Sequence, residues 1–354
     1  MAKKHYWSGQ YYENVIGCRI SELILSSKFN KFSNKGLIYR IAGGLMKVLV
    51  TGGLGFIGSH IVDGLIGEGY DVAVVDNMVS GMRKNLHSQA TFYQMDIRDQ
   101  EIETVFRTEK PDCVIHQAAQ VSVQHSMENP LYDCSQNIIA TINLLNACKK
   151  FGVKKFIFAS TAAIYGVPED FPIKEDHKLR PLSFYGLSKA TCEEYIRRYC
   201  KLYDINYTIL RYANVYGPRQ SKDGEAGVIT IFINQLMNKN PINVYGDGKQ
   251  TRDFIYVKDV ARANILALTR AHNKTINISS NKETSLNHLI QELTVHFGGN
   301  KDIKINYLDK RPGDISRSCL SNVRAKTDLT WEPTPEWDLS GGIAETIKYF
   351  NLNN

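Results

Sequence analysis

The stretch Lys47-Val-Leu-Val-Thr51-Gly52-Gly53-Leu54-Gly55-Phe56-Ile57-Gly58 decides how this chain folds. An apolar, β-branched run ends at Thr51, glycines follow at once, and an amphipathic segment opens at Phe56. Gly53, Gly55 and Gly58 match G-x-G-x-x-G, and Gly52, Gly55 and Gly58 match G-x-x-G-x-x-G. Glycine serves there for a tight turn, for close backbone approach to a pyrophosphate and for packing helix on strand. The helix N-terminus then offers unpaired N–H groups to the anion. The next apolar run, 71–75, leads into Asp76, 24 residues after Gly52. A carboxylate at that spacing bonds a ribose 2′-hydroxyl and repels a 2′-phosphate, so the pattern predicts NAD in preference to NADP.

Outward from this unit the rhythm repeats. Short β-rich runs at 72–75, 91–95, 114–115, 156–159 and 207–210 are separated by helix-length segments at 56–66, 100–110, 131–151 and 183–203. Strands alternating with helices predict an α/β fold, a Rossmann-type doubly wound parallel sheet. After Arg211, glycine and proline loops separate shorter elements, which predicts a smaller C-terminal substrate-binding lobe. The expected division is an NAD-binding domain over 46–215, with 252–275 packing back on it through a helix at 257–271. The lobe is then formed by 216–251 and 276–354. Residues 1–45 precede the first strand without clear periodicity. They are either an appendage or translated upstream sequence, and Met46 is our expected physiological start because it opens a complete first strand.

Composition narrows the function classes. The 354 residues are 43% apolar and 22% charged, which is globular composition. The net charge of +7 is uneven, since residues 1–45 hold seven basic and two acidic side chains and so carry +5 of it. No basic stripe interleaved with aromatics marks a nucleic-acid surface, and no apolar run is long enough to span a membrane. Seven scattered cysteines without C-x-x-C suit a reducing compartment, with the cytoplasm as the expected location. The histidine and cysteine spacing predicts no metal site.

Tyr185-Gly-Leu-Ser-Lys189 sets a phenol and an ammonium four residues apart, on one face of a predicted helix. A neighbouring cation favours phenolate and makes the tyrosine a general base near neutral pH. The second Tyr-x-x-x-Lys match, Tyr245-Gly-Asp-Gly-Lys249, contains two glycines and an aspartate and reads as a turn.

Taken together, the chain from Met46 to about Phe350 resembles the extended short-chain dehydrogenase/reductase family, and within it the UDP-hexose 4-epimerases. The matching stretches are Thr51-Gly-Gly-Leu-Gly-Phe-Ile-Gly-Ser59, Val75-Asp-Asn77, Asp96-Ile97, His116-Gln-Ala-Ala119 and Ser160-Thr-Ala-Ala-Ile-Tyr-Gly166. Further on they are Tyr185-x-x-x-Lys189, Arg211-Tyr-Ala-Asn-Val-Tyr-Gly-Pro218, Gly248-Lys-Gln-Thr-Arg-Asp-Phe254 and Arg311-Pro-Gly-Asp314. The resemblance implies that Gly52, Gly55, Phe56, Ile57, Gly58, Asp76, Asn77, Asp96 and Ile97 touch NAD. It assigns Ala118, Ala119, Asn137, Tyr185 and Lys189 to the nicotinamide side, with Tyr212 as a further cofactor contact. Thr161, Tyr185 and Lys189 are the implied catalytic residues. Asn214, Val228, Tyr245, Arg252, Arg311, Asp314 and Ser318, with Thr161 and Tyr185, are the implied contacts of a UDP-sugar. A homodimer is a further implication.

Within the family, 4,6-dehydratases carry an Asp-Glu pair right after the active-site Thr, and UDP-glucuronate decarboxylases keep a Glu there. Here those positions are Ala162 and Ala163, which transfer no proton. The resemblance therefore implies oxidation and re-reduction at one carbon, a 4-epimerisation through a transient 4-keto sugar. Ser318 stands where glucose-only epimerases have a bulky tyrosine, which implies room for an N-acetyl group. UDP-glucuronate 4-epimerase, a dehydratase-like lyase and a non-catalytic NAD-sensing relative remain the alternatives at this point.

Overall fold

Val48, Leu49 and Val50 are wholly buried because strand β1 (Lys47–Thr51) is covered on both faces. The computed structural model describes residues 45–221, 227–299, 303–310 and 315–352; the expectation for the N-terminal segment falls outside them. From β1 the chain runs through α1 (Phe56–Gly67), β2 (Asp71–Asp76), β3 (Thr91–Gln94), α2 (Ile102–Glu109) and β4 (Cys113–His116). It continues through α3 (Val123–Glu128), α4 (Pro130–Cys134), α5 (Ala140–Phe151), β5 (Lys155–Thr161), α6 (Phe184–Tyr203) and β6 (Asn206–Tyr212).

All these strands are parallel, in the order β11-β6-β5-β4-β1-β2-β3, where β11 is Lys274–Ile278. This is the doubly wound sheet that the alternating pattern predicts. On one face Val48, Val50, Val72 and Val74 pack against Ile61 and Leu65 of α1 and Val260 and Ala263 of α8 (Val257–Ala267). On the other, Leu49, Val114, Phe156 and Phe158 meet Phe106, Leu144, Cys192 and Ile196. Each such buried aliphatic or aromatic side chain contributes about 1.5–3 kcal/mol. The strand order reverses between β1 and β4, and ligand crevices of open α/β sheets form beyond the strand ends at such a point.

Two details differ from the pattern. The helix expected over 131–151 is broken by a π-helical turn, Ser135–Ile139, where Thr141 Oγ1 donates to the Asn137 carbonyl at 2.6 Å. The edge strand β11 runs through the expected lobe boundary at 275/276, because Ile276 and Ile278 are both buried against the sheet.

A separate core gathers the shorter elements. Ile229, Phe232 and Ile233 of α7 (Val228–Met237) pack with Ile242 and Val244 of β8 (Ile242–Tyr245), Leu289 and Leu293 of α9 (Leu286–His296), and Ile343 of α10 (Leu339–Leu352). Two-stranded pairings join β7 (Asn214–Tyr216) to β10 (Phe254–Tyr256), β9 (Thr251–Arg252) to β12 (Thr284–Ser285), and β8 to β13 (Ile305–Leu308). Among the described residues no helix is long and apolar enough to cross a membrane.

Candidate active site

The glycine turn between β1 and α1 adopts a conformation that only glycine allows. Gly52 has φ +67°, and a Cβ there would lie 2.7 Å from the Ala118 backbone nitrogen. A Cβ on Gly58 would overlap the Gly52 carbonyl oxygen. Gly55, the residue before α1, gives the helix no side-chain cap, and the first turn carries no acid. The positive end of the helix is thus left open to an anion.

This turn forms one end of a cleft of about 940 Å³. Gly52, Gly55, Phe56, Ile57 and Gly58 line it, as do Asp76, Asn77, Asp96 and Ile97 from the ends of β2 and β3. Asp76 also braces the turn: its Oδ2 accepts from Leu54 N at 3.0 Å and its Oδ1 from Met78 N at 2.8 Å. Asp96 accepts from Arg98 and from Asn77 Nδ2, and chiefly the Arg98 hydrogen bonds hold its carboxyl down at about 2. Arg219 lines the cleft as well, with its Nη2 on Asp63 and a buried Nη1 that has no hydrogen-bond partner. An uncapped helix end, a carboxylate at the tip of β2 and an unmatched guanidinium donor fit a dinucleotide.

Ala118 and Ala119 continue the wall from β4 toward Thr161, Tyr185, Lys189 and Tyr212. The Ala118–Ala119 segment is fixed from behind. Thr51 Oγ1 accepts from Ala118 N and bonds His116 Nδ1 at 2.8 Å, and His116 Nε2 reaches Thr141 Oγ1 at 3.0 Å. Burial pushes His116 down to about 3, so the ring is neutral at working pH.

Thr161 ends β5 and its Oγ1 accepts from Ala163 N, capping the short 3₁₀ turn Ala162–Ile164. Tyr185 and Lys189 sit in the first turns of α6, which Ser183 caps through Gly186 N. Lys189 is 3% exposed, its Nζ donates to the Ala159 carbonyl at 3.0 Å, and burial lowers its pKa to about 8. One helical turn on, Glu193 is wholly buried and accepts from Ser160, Arg197 and, twice, Arg211. This network ties α6 to the ends of β5 and β6 directly behind Thr161.

Asn137 lies behind the cleft and does not line it. It is buried, with its amide bound to the Gln120 backbone and to Asp133, so it holds the wall in place. Of the expected sugar-nucleotide residues, Thr161 and Tyr185 line this cleft, whereas Asn214, Val228, Tyr245, Arg252 and Ser318 are not among its lining residues. Asn214 and the segments around Arg252 and Leu320 are tied together at the buried Asp253. Asn214 N donates to the Asp253 carbonyl, Asp253 Oδ2 accepts from Leu320 N, and Arg252 Nη1 donates to the Ile315 carbonyl at 2.7 Å. Burial raises Asp253 to about 6 against donors from Ser280 and Leu320. Tyr245 ends β8 and its carbonyl accepts from Gln250; the positive φ of Gly246 and Gly248 makes 245–249 the turn its glycines predict. Val228 opens α7, and Arg311 and Asp314 lie outside the described residues. Sequence reasoning assigned no role to Glu193, Arg211, Asp133 and Gln120, whose network closes through partners such as Glu193–Arg211 and Asp133–Ser188 that belong to different elements.

The sequence profile of the NAD-dependent epimerase/dehydratase family matches residues 48–279. The chain is similar to the UDP-glucose 4-epimerase of Thermotoga maritima, solved with UDP-glucose. The two are 43% identical with a TM-score of 0.84, over 87% of this chain and 99% of that one. It is similar to the UDP-N-acetylglucosamine 4-epimerase of Methanobrevibacter ruminantium, solved with UDP-N-acetylmuramic acid (38% identity, TM-score 0.83, 88% and 100% covered). The UDP-glucose 4-epimerase of Thermus thermophilus, solved with NAD, is 40% identical with a TM-score of 0.81 over 86% and 99% of the two chains.

Proposed function

We propose, from the premise that the chain belongs to the NAD-dependent epimerase/dehydratase family, that it inverts the C4 hydroxyl of UDP-hexoses. The observation that carries this reading is the company Thr161 keeps. It shares one cleft with Tyr185, Lys189 and the glycine turn, and it is followed by two alanines. Elimination or decarboxylation asks for a further acid or base beside that threonine, and Ala162 and Ala163 supply none. The glycine turn, Asp76 and the Ala118–Ala119 wall would hold NAD, which when bound would supply reversible oxidation at the sugar carbon. Tyr185 Oη takes the C4 hydroxyl proton and returns it, Thr161 Oγ1 hydrogen-bonds the same oxygen, and the Lys189 ammonium stabilises the phenolate. Inversion asks for a firm grip on UDP and a hexose free to turn. Asn214 and Arg252, with Arg311, Asp314, Tyr245 and Val228, are the proposed UDP ligands.

The proposed substrates are UDP-glucose and UDP-galactose, extended to UDP-GlcNAc and UDP-GalNAc because Ser318 is small. Incubating purified protein with each sugar and with UDP-glucuronate, then resolving C4 epimers by chromatography, tests this. UDP-galactose and UDP-GalNAc are expected products; conversion of glucuronate alone would reassign the enzyme. Ser318→Tyr is expected to lower turnover of the acetylated pair by about 10-fold or more, the discrimination a filled pocket gives, and to leave UDP-glucose turnover within about twofold.

A homodimer is part of the same reading. Val123, Met127, Leu131 and Leu187 are 47–84% exposed on α3, α4 and α6, which pack against one another and leave an apolar face for a second copy. Sedimentation velocity is expected to give twice the chain mass, and Leu131→Glu to shift it toward the monomer.

A further inference from the structure

Asp133 is wholly buried in α4 and receives three hydrogen bonds. Its Oδ2 accepts from Ser188 Oγ at 2.5 Å, and its Oδ1 accepts from Gln120 Nε2 at 2.9 Å and Asn137 Nδ2 at 3.0 Å. The amide orientations are fixed by backbone donors: Gln120 N requires the Asn137 oxygen, and Ser122 N requires the Gln120 oxygen. Both amides therefore donate to Asp133 Oδ1, and Ser188 Oγ bonds its other oxygen.

The partners belong to three parts of the site. Gln120 lines the cleft, Asn137 anchors the π-helical turn, and Ser188 sits between Tyr185 and Lys189 on the catalytic helix. A hydrogen bond from Ser188 holds the helical turn that carries the tyrosine and lysine, since positions three and four apart share one face.

Charge points the same way. The titratable groups around Lys189 are Tyr185, Cys192 and Glu193 on its own helix, Asp133 across from α6, and His116 on β4. Burial pushes the Cys192 thiol up to about 11, and His116 is neutral. Burial alone would raise Glu193, but the Arg211, Ser160 and Arg197 contacts outweigh it, and the two guanidinium groups match its charge. Asp133 makes no ion pair with any lysine or arginine among the described residues. A buried charge without a counter-ion is costly, and Asp133 is among the groups whose charge favours the ammonium form of the buried Lys189.

We propose that Asp133 is a positioning residue for the catalytic pair: through Ser188 it anchors the turn that carries Tyr185 and Lys189, and it supplies the counter-charge that keeps Lys189 an ammonium in a dry pocket. The proposal rests on the reading of Tyr185 and Lys189 as that pair.

The test is the pH dependence of UDP-glucose turnover in Asp133→Asn and Ser188→Ala, with Tyr185→Phe alongside. Removing the negative charge makes Lys189 lose its proton earlier. The alkaline limb of kcat in Asp133→Asn is therefore expected about one pH unit lower than in the parent, the size of shift a nearby charge gives. Ser188→Ala keeps the charge, so kcat is expected to fall severalfold with the limb unmoved. A merely structural role would lower turnover alike at every pH. A folded Asp133→Asn whose limb stays in place overturns the proposal. If that variant does not fold, parental kcat in Ser188→Ala overturns it. An active Tyr185→Phe would instead sink the underlying catalytic reading.

Discussion

Tyr185→Phe is expected to lower UDP-hexose epimerisation about 10³-fold while the purified protein keeps its NAD. The substitution removes one oxygen and leaves the ring, so the packing at the start of α6 survives. Ser183 still caps the helix, and Lys189 still donates to the Ala159 carbonyl. The glycine turn, Asp76 and Asn77 lie at the far end of the cleft from Tyr185 and are untouched, which is why cofactor content is expected to hold. What is lost is the group that accepts the C4 hydroxyl proton. General-base catalysis of this type contributes about 10²–10⁴ in rate. Thr161 does not replace it, because a threonine hydroxyl has no basic form near neutral pH and its Oγ1 already accepts from Ala163 N. Product chromatography and release of bound NAD by denaturation give the two readouts. Residual turnover above a tenth of the parent would falsify Tyr185 as the base.

How much of this was legible in the sequence follows from how far apart the interacting residues lie. The β1–α1–β2 unit is local: a buried strand, glycines forced by close backbone approach and a carboxylate at the next strand end all occur within 30 residues. Its geometry came out as the spacing predicts. The Tyr185–Lys189 pair is equally local, since one helix carries both. The π-helical turn at Ser135–Ile139 was not legible, because it depends on Thr141 and on a buried amide network that closes only in three dimensions. Strand β11 escaped for a related reason. Its five residues alternate two buried isoleucines with polar Thr275 and Asn277, and Asn277 earns a buried place only by bonding Tyr165, Ile173 and Glu175, over 100 residues away. The sugar-nucleotide side is the least local of all. Asn214 and Leu320 both bond Asp253 from segments more than 100 residues apart in the chain, and here the family resemblance carried what periodicity does not.

The same long-range logic sets the largest expected loss of stability. Arg211→Leu is expected to cost about 3–5 kcal/mol in urea unfolding at pH 7.5, the range for stranding one partner of a buried ion pair. Arg211 is 2% exposed and Glu193 fully buried; the pair shares two hydrogen bonds of 2.9 and 2.7 Å, and Arg211 also donates to Tyr165 Oη and the Glu175 carbonyl. Arg197 remains to Glu193 in the variant, but it is partly solvent-exposed and makes a single bond. The pH dependence identifies the stranded charge. In the parent, Glu193 is held below its ordinary 4.5, so its stabilisation is complete above that pH and is lost as pH falls through the depressed value. In the variant, burial dominates and Glu193 titrates above 4.5. Its penalty is then present at neutral pH and relieved as the carboxyl takes a proton. The gap between the two unfolding midpoints is therefore expected to be widest near pH 7.5 and to narrow toward pH 4.5. The double variant Arg211→Leu/Glu193→Leu, which leaves no buried charge at this point, should regain much of the loss, because apolar replacement of both partners of such a pair is often neutral or stabilising. An equal gap at both pH values would mean that the cost comes from the hydrogen bonds to Tyr165 and Glu175. Arg211 would then act chiefly by holding Tyr165 and the Glu175 segment against β6, with its bond to Glu193 secondary.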